Sequence, residues 1–336
     1  MARGTLNRRV GISDVAEKAG VSLATVSRVM NGNFTVAADI AERVRAVATE
    51  LNYQPNPTGR NLARGKTDTI GVVVPDLGNP TFQTVLRGVS RAAAQDGYRV
   101  LIADSSEVSS EESILAGEAR RRCDGVVLCA PRMSDAELAE LAPTLHPLVL
   151  VNRTTADPSP SLTVDYGRGI QDLAAHLVDL GHTRLAFSAG PANSASNALR
   201  LAGLETFMSA HPGVELQILP GGSTFEDGHA SADAVLASGA TGILAFNDLT
   251  AMGLLSALNE RGVNVPADVS LTGFDDIQFA AYTTPPLTTA AVPSMDVGEQ
   301  AWRQMRALLN DTDIPDPALV FAPHIVVRGS TGPAPR

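Results

Sequence analysis

The chain has 336 residues, 44% of them hydrophobic and 18% charged, enough for a small domain beside a large one with a sizeable buried core. No apolar run approaches the ~18 residues of a membrane span, and the basic start "MARGTLNRRV" lacks the apolar stretch of a signal peptide, so no membrane partner is expected. Cys123 and Cys129 read as two buried thiols of a reducing cytoplasm rather than a disulfide or metal pair. The net charge of −10 is uneven: residues 1–66 hold ten of the 26 basic side chains and five of the 36 acidic ones, so a head of +5 precedes a body of −15. Only the head suits a polyanion.

The head carries "GISDVAEKAGVSLATVSRVMNG". Ser13 is placed to cap a helix running through Ala19, with Asp14 at its positive end. Gly20 ends that helix as the residue able to turn left-handed. Ser22 then caps a second helix, "LATVSRVMN", and Val15, Ala16, Ala19, Val21, Val26 and Val29 form the shared core. A third helix, Ala37 to Leu51, sets Ile40, Val44, Val47 and Leu51 on one face. Two helices joined by a glycine turn and closed by a third make a helix-turn-helix unit, whose second helix enters the DNA major groove. Its leading residues are Leu23 and Ala24, with Arg28 one turn later. Arginine can bind guanine through two hydrogen bonds, while Leu23 and Ala24 offer apolar contact to thymine methyls. Ser22, Thr25, Ser27 and Asn31 suit phosphates, which position the helix without reading sequence. Helix–glycine–helix alone also occurs in proteins that do not bind DNA.

"DVAEKAGVSLATVSRVMNG" followed by "LNYQPN" resembles the head of the LacI/GalR family of bacterial transcription regulators, without gaps from Ile12 to Asn56. The resemblance implies a homodimer with one head per half-site of a palindromic double-stranded operator. It implies base reading by Leu23, Ala24 and Arg28, with Asn31 supporting the contact. In "NPTGRNLARGKT", residues 56–67, Pro57 and Gly59 say linker while Arg60 to Arg64 say one or two turns of helix. In the family this hinge becomes helical on the operator and pushes a leucine into the minor groove. The matching residue is Leu62, with Arg60, Asn61 and Arg64 placed for groove or backbone. Gly59 in mid-helix costs roughly 1 kcal/mol relative to alanine, so the hinge is expected to fold only on DNA.

After Lys66 apolar runs of strand length recur: "TIGVVV" (69–74), "YRVLIA" (98–103), "GVVLC" (125–129), "PLVLV" (147–151), "RLAFS" (184–188), "GILAF" (242–246) and "VSLTGF" (269–274). Helical stretches lie between them, with Phe82, Val85, Leu86, Val89 and Ala93 on one face and Leu173, Leu177 and Leu180 in looser form. Continuous apolar strands alternating with helices predict doubly wound parallel sheets, here two α/β subdomains behind a small all-α head.

Ligands in such folds bind outside the C-terminal strand ends. The residues there, polar except for the aromatic Phe82, are Asp76, Asn79 and Phe82; Asn152 and Arg153; Asp165; Ser196 and Arg200; Asn247 and Asp248; Asp275 and Asp276. Planar amide, carboxylate and guanidinium groups around a flat ring suit a saccharide or another small polar metabolite. Any one of them also has a plain reading, Asn79–Pro80 as a turn and Asp165 as a helix cap. "IGVVVPDLGNPTF", "DLGHTRLAFSAGP", "LRLAGLETF", "AFNDLTAMGLLSAL", "VSLTGFDD" and "PPLTTA" resemble the same family's periplasmic-binding-protein-like sensor. By position, the resemblance implies effector contacts at Phe82, Asn152, Arg153, Ser196, Arg200, Asn247 and Asp275. Three departures stand out: Thr81 where many members place an aromatic, Ser223 likewise with Phe225 as a nearby substitute, and Asn152 in place of an aspartate.

Other classes find little support. "PDLGNP" after the first strand is not a dinucleotide-binding glycine turn. There is no Gly-x-Ser-x-Gly elbow, His176 and His182 lack metal spacing, and Asp275–Asp276 point apart. A solute-binding protein would share the body but has no use for the head. The expectation is a cytoplasmic, non-enzymatic repressor of carbohydrate-use genes, with no cofactor and a sugar-like effector; a nucleobase, nucleoside or other polar metabolite is the alternative. The end "VVRGSTGPAPR" carries no leucine heptad, favouring a dimer over a tetramer. The expected organisation is a DNA-binding domain over 1–55, a hinge over 56–66 and an effector and dimerisation domain over 67–330. Within the last, one subdomain spans 67–164 plus 293–322 and the other 165–292 plus 323–330.

Overall fold

Gly11, not Ser13, stands at the start of the first helix, α1 (Ile12–Ala19), where the Asp14 carboxylate accepts from the Gly11 N–H at 2.7 Å. The acidic side chain three residues in does the capping, so a serine inside the first turn is not needed for it. The computed structural model describes residues 10–30, 35–53 and 65–336, and the chain divides into two compact units between Thr67 and Asp68. In the first unit Gly20, at φ 66°, ends α1, and the Val21 N–H returns to the Ala16 carbonyl at 3.0 Å. Helices α2 (Leu23–Met30) and α3 (Ala38–Glu50) close over Val15, Ala16, Ala19, Val26, Val29, Ala41, Val44 and Ala48. Ile40, Val47 and Leu51 pack at the margin of that core, and a Lys18–Glu50 ion pair at 2.6 Å ties α1 to α3.

The second unit is built from two parallel sheets. Its first half runs β1 (Thr69–Val74), α4 (Pro80–Gln95), β2 (Arg99–Asp104), α5 (Ser109–Arg122), β3 (Gly125–Cys129), α6 (Asp135–Leu141), β4 (Leu148–Val151) and β5 (Ser161–Val164). The second half runs α7 (Tyr166–Asp179), β6 (Arg184–Ala189), α8 (Ala195–Ala210), β7 (Glu215–Pro220), α9 (Phe225–Ala230), α10 (Ala232–Ala237), β8 (Gly242–Ala245), α11 (Asp248–Glu260) and β9 (Ser270–Thr272). The chain then makes β10 (Thr289–Ala291), α12 (Ser294–Leu309), β11 (Ala318–Phe321) and β12 (His324–Val326). The sheet orders are β11-β5-β4-β3-β1-β2 and β7-β6-β8-β9, with β10 and β12 paired antiparallel. The strands β1, β3, β4 and β8 are buried almost throughout, which is why their sequences are unbroken apolar runs.

The late return of α12 and β11 to the first half makes the two halves one unit. β11 adds to β5 in parallel, and α12 lies against α4 with Trp302 buried beside Tyr98. The crossing is close because Gly88 and Gly298 meet there: a Cβ on Gly298 would stand 2.1 Å from the Val85 carbonyl oxygen. In the second half His182, just past the end of α7, is wholly buried. Its ring meets Thr241 Oγ1 at 2.9 Å, Ser270 Oγ at 3.0 Å and the Gly332 carbonyl at 3.1 Å, and burial pulls its pKa down.

Candidate functional site

Two surfaces carry the side chains expected to act. On the first unit, Ser22 Oγ accepts from the Thr25 N–H at 3.1 Å and caps α2. Val26 and Val29 are buried, so the opposite face of α2 is presented outward. Ser22, Leu23, Ala24 and Arg28 are exposed there, and Leu23 is 52% exposed although nothing polar about it favours solvent. Thr25 and Ser27 flank that face half-buried. Asn31, Asn61 and Leu62, and with them residues 56–64 of the hinge expected at 56–66, lie outside the described residues.

On the second unit, the ends of the strands converge on one cavity. Asn79 caps α4 after β1 and Thr81 and Phe82 lie in that helix's first turn, Ala130 and Arg132 follow β3, and Asn152 follows β4. Tyr166 follows β5, and from the other half come Ser196, Arg200, Ser223, Phe246, Asn247 and Asp275. The backbone is strained where it delivers them: Ala130, Asn152 and Asp275 have φ of 44°, 55° and 107°. Each left-handed non-glycine residue costs roughly 1–3 kcal/mol, a pattern that clusters at ligand sites. The enclosed volume is about 30 Å³, room for a water or two, so a sugar-sized guest requires the halves to part.

The centre of the cavity is Arg200, 1% exposed. Its guanidinium carbon lies 4.0, 4.3 and 4.5 Å from the ring centres of Phe274, Tyr166 and Phe246. One N–H reaches the Ser196 carbonyl at 3.1 Å, and Nε has no hydrogen-bond partner among the described residues. Burial lowers its pKa, while Tyr166, Asp275 and Asp248 oppose that. Asp275 is pushed up to about 6, burial outweighing Arg200 and the hydrogen bond from Thr81 Oγ1 at 2.9 Å. The side-chain oxygen of Asn152 is likewise buried without a partner. A buried polar atom left unpaired costs about 1–3 kcal/mol, and here an acceptor and a donor are left so on opposite walls.

Some of the expected contacts are also structural. Asn247 caps α11, accepting from the Thr250 N–H at 2.8 Å and donating to the Ser223 carbonyl at 2.9 Å. Asn79 caps α4 through the Thr81 N–H, and Asp165 caps α7 through the Arg168 N–H, each at 2.9 Å. Asp248, beneath the cavity, accepts from the Ile277 N–H and Thr289 Oγ1 and holds the 273–277 loop; burial first, and Asp275 second, raise its pKa well above the usual range. Asp276 turns away to Arg328 at 2.6 Å.

Arg153 does not line the cavity. Its guanidinium donates to the Pro131 carbonyl at 3.1 Å and to the Met133 carbonyl and Asp135 at 2.8 Å, bracing the loop after β3. Phe225 is no substitute for the missing aromatic, since it lies on a separate surface groove with His229 and Met252. Tyr166 and Phe246 supply the rings instead, and Arg132 supplies a second cation; the polar residue past the "GVVLC" run was the available signal for it.

Residues 11–56 match the family model for bacterial regulatory proteins of the lacI family, and residues 174–331 match a periplasmic binding protein-like domain. The catabolite control protein A of Staphylococcus xylosus is 30% identical over 328 residues, which is 96% of this chain and 99% of that protein. The chain belongs to the lacI family. Among solved lacI-type structures, a lac repressor dimer bound to operator and the anti-inducer ONPF superposes with a TM-score of 0.85 at 27% identity, covering 97% of this chain and all of that one. A transcriptional regulator CelR–cellobiose complex superposes with a TM-score of 0.69 at 27% identity, over 96% of this chain and all of that one. As a lacI-family regulator the chain is a transcription factor and not an enzyme, and its two α/β halves are the family's periplasmic-binding-protein-like body.

Proposed function

We propose that this regulator is a repressor whose head binds a palindromic operator as a homodimer, and whose cleft binds a small, polar, sugar-like effector. Leu23, Ala24 and Arg28 read base edges, while Ser22, Thr25 and Ser27 hold phosphates. The hinge residues Asn61 and Leu62 complete the contact. The observation that carries the effector reading is Arg200, a fully buried cation with an unpaired Nε, between three rings and a carboxylate. A ring face satisfies the aromatics, and ring hydroxyls satisfy Arg200, Asp275 and Asn152. The likeness to a lac repressor dimer on operator and to a cellobiose-bound regulator supports both halves of the reading. Leu101 and Ile102, exposed on the edge strand β2, and Tyr282, 85% exposed, suit burial against a second copy. Such a protein works in the cytoplasm, where the DNA is.

Effector entry parts the two halves, redistributes the body between arrangements, and so changes how the paired heads meet the operator. The test has two arms. Fluorescence anisotropy on selected palindromic duplexes should show sequence-dependent binding that weakens steeply with salt; uniform weak binding to all duplexes rejects the regulator reading. A thermal-shift screen of sugars and nucleosides should give a hit that Arg200→Lys abolishes, and a hit indifferent to Arg200 rejects this cavity as its site.

A further inference from the structure

Arg132, on the wall of the cavity, is held from several sides. Its backbone N–H and that of Met133 both donate to Glu112, a carboxylate 2% exposed, at 2.7 and 2.8 Å. Arg153 grips the carbonyls on either side of it. Glu107 takes the Nε/Nη2 edge of its guanidinium through two hydrogen bonds of 2.6 and 2.9 Å. The side chain is therefore fixed before any ligand arrives, at 6% exposure.

The pairing with Glu107 uses one edge of the fork and leaves the Nη1/Nη2 edge. Nη1 donates to the Ala130 carbonyl at 3.1 Å and reaches Ser194 Oγ, across the cleft, only at 3.5 Å. That second contact is longer than the 2.7–3.2 Å range of an N–H···O bond, and it is the one that lengthens further when the halves part. The open edge has the geometry that binds carboxylate or phosphate oxygens in pairs. The same wall holds Asn152, a neutral amide; the lining sets Arg132 and Arg200 against Asp275 on the other half, with Glu107 pairing Arg132 from outside the lining.

Taking the cleft as the effector site, as proposed above, we infer that the effector is a polyol bearing an anionic group, a carboxylate or a phosphate, and that Arg132 selects it. The hydroxylated part lies between Arg200, Asn152 and Asp275, and the anion displaces Ser194 from the Arg132 fork.

Matched pairs decide this: glucose with glucuronate and glucose 6-phosphate, galactose with galacturonate, and ribose with ribose 5-phosphate. Each is titrated onto the full-length protein by thermal shift and calorimetry, and the two kinds of acid separate a carboxylate site from a phosphate site. The expected result is one anionic member binding at least about tenfold more tightly than its neutral partner. Arg132→Gln should remove that preference, read as the ratio of acid to neutral-sugar affinity within the variant, which falls to about one. Arg132→Lys, which keeps the charge and the Glu107 partner should Gln unfold the loop, should retain part of it. A neutral sugar binding as tightly as its acid, or an anion preference that survives both variants, overturns the inference while leaving the cleft reading intact. Absence of binding by every sugar and every acid, in protein that still binds operator, overturns both this inference and the cleft reading.

Discussion

Thr81 Oγ1 donates to Asp275 Oδ2 at 2.9 Å, joining residues 194 apart in sequence and linking the first half of the α/β unit to the second. The bond occupies the carboxylate that an effector hydroxyl would need, so the cleft is latched shut on its own side chains. Thr81→Val keeps the shape and removes the donor. It should lower the stability of the unliganded protein by about 1–2 kcal/mol and strengthen effector binding several-fold, because Asp275 no longer has to be released. Urea denaturation and calorimetry read the two effects. Weaker effector binding in Thr81→Val would mean that the hydroxyl serves the ligand and does not compete with it.

The Asp275 carboxyl, raised to about 6 by burial, titrates near 4 in the unfolded chain. Between those values the folded protein holds a proton that the unfolded chain has released. Its contribution to stability is therefore present at low pH and falls as pH rises from 4 to 6, by on the order of 3 kcal/mol. Above 6 the loss is complete and the curve is flat in this group. Asp248 is raised in the same direction, so the useful quantity is the difference between the wild type and Asp275→Asn. That difference should narrow the pH 4.5 to pH 7 change in urea midpoint; identical slopes in the two proteins would remove Asp275 as the source.

The parts of this protein that were legible in the sequence are those whose burial is set by one element at a time. The β1, β3 and β4 runs announce themselves because both faces are covered, and the α4 stripe of Phe82, Val85, Leu86 and Val89 follows from helical spacing. β7, an edge strand whose Leu216 and Leu219 are half-buried between exposed neighbours, and the three-residue β10 and β12 were not legible, since only their partners define them. The cavity shows the same division. Of the twelve residues named after strand ends, Asn79, Phe82, Asn152, Ser196, Arg200, Asn247 and Asp275 line it, and of the seven that the family resemblance implied only Arg153 does not. What the sequence does not state is which way a long side chain turns. Arg153 and Arg132 stand two and three residues past neighbouring strands, yet the free carbonyls of Pro131 and Met133 capture the first and leave the second facing the cleft.

The α4–α12 crossing gives a prediction that is independent of any ligand. A methyl group at position 298 would stand 2.1 Å from the Val85 carbonyl oxygen, and one at position 88 would stand 2.3 Å from that of Met295. Backbone on both sides leaves nothing flexible to yield. Gly298→Ala should therefore force the helices apart and cost about 2–3 kcal/mol or more, the upper range for an overpacked core. A urea midpoint unchanged from the wild type would show that the crossing accommodates a side chain after all.

Arg28 offers the sharpest test of how the head reads DNA. It is exposed on the outer face of α2 one turn after Ala24, and its guanidinium can span the two acceptors of a guanine in the major groove. Ser22, by contrast, is bound into the cap of its own helix, accepting from the Thr25 N–H and sharing a hydroxyl contact of 2.9 Å with Thr25, so its contribution is to position. Arg28→Ala should cost roughly 1–3 kcal/mol against the best duplex and relax preference at a single base pair per half-site. Ser22→Ala should weaken binding to all duplexes alike, through a poorer cap and a lost phosphate contact. Anisotropy across a set of operators mutated one base pair at a time separates the two. If Arg28→Ala weakens every duplex equally, the arginine contacts phosphate and the base reading falls to Leu23 and Ala24.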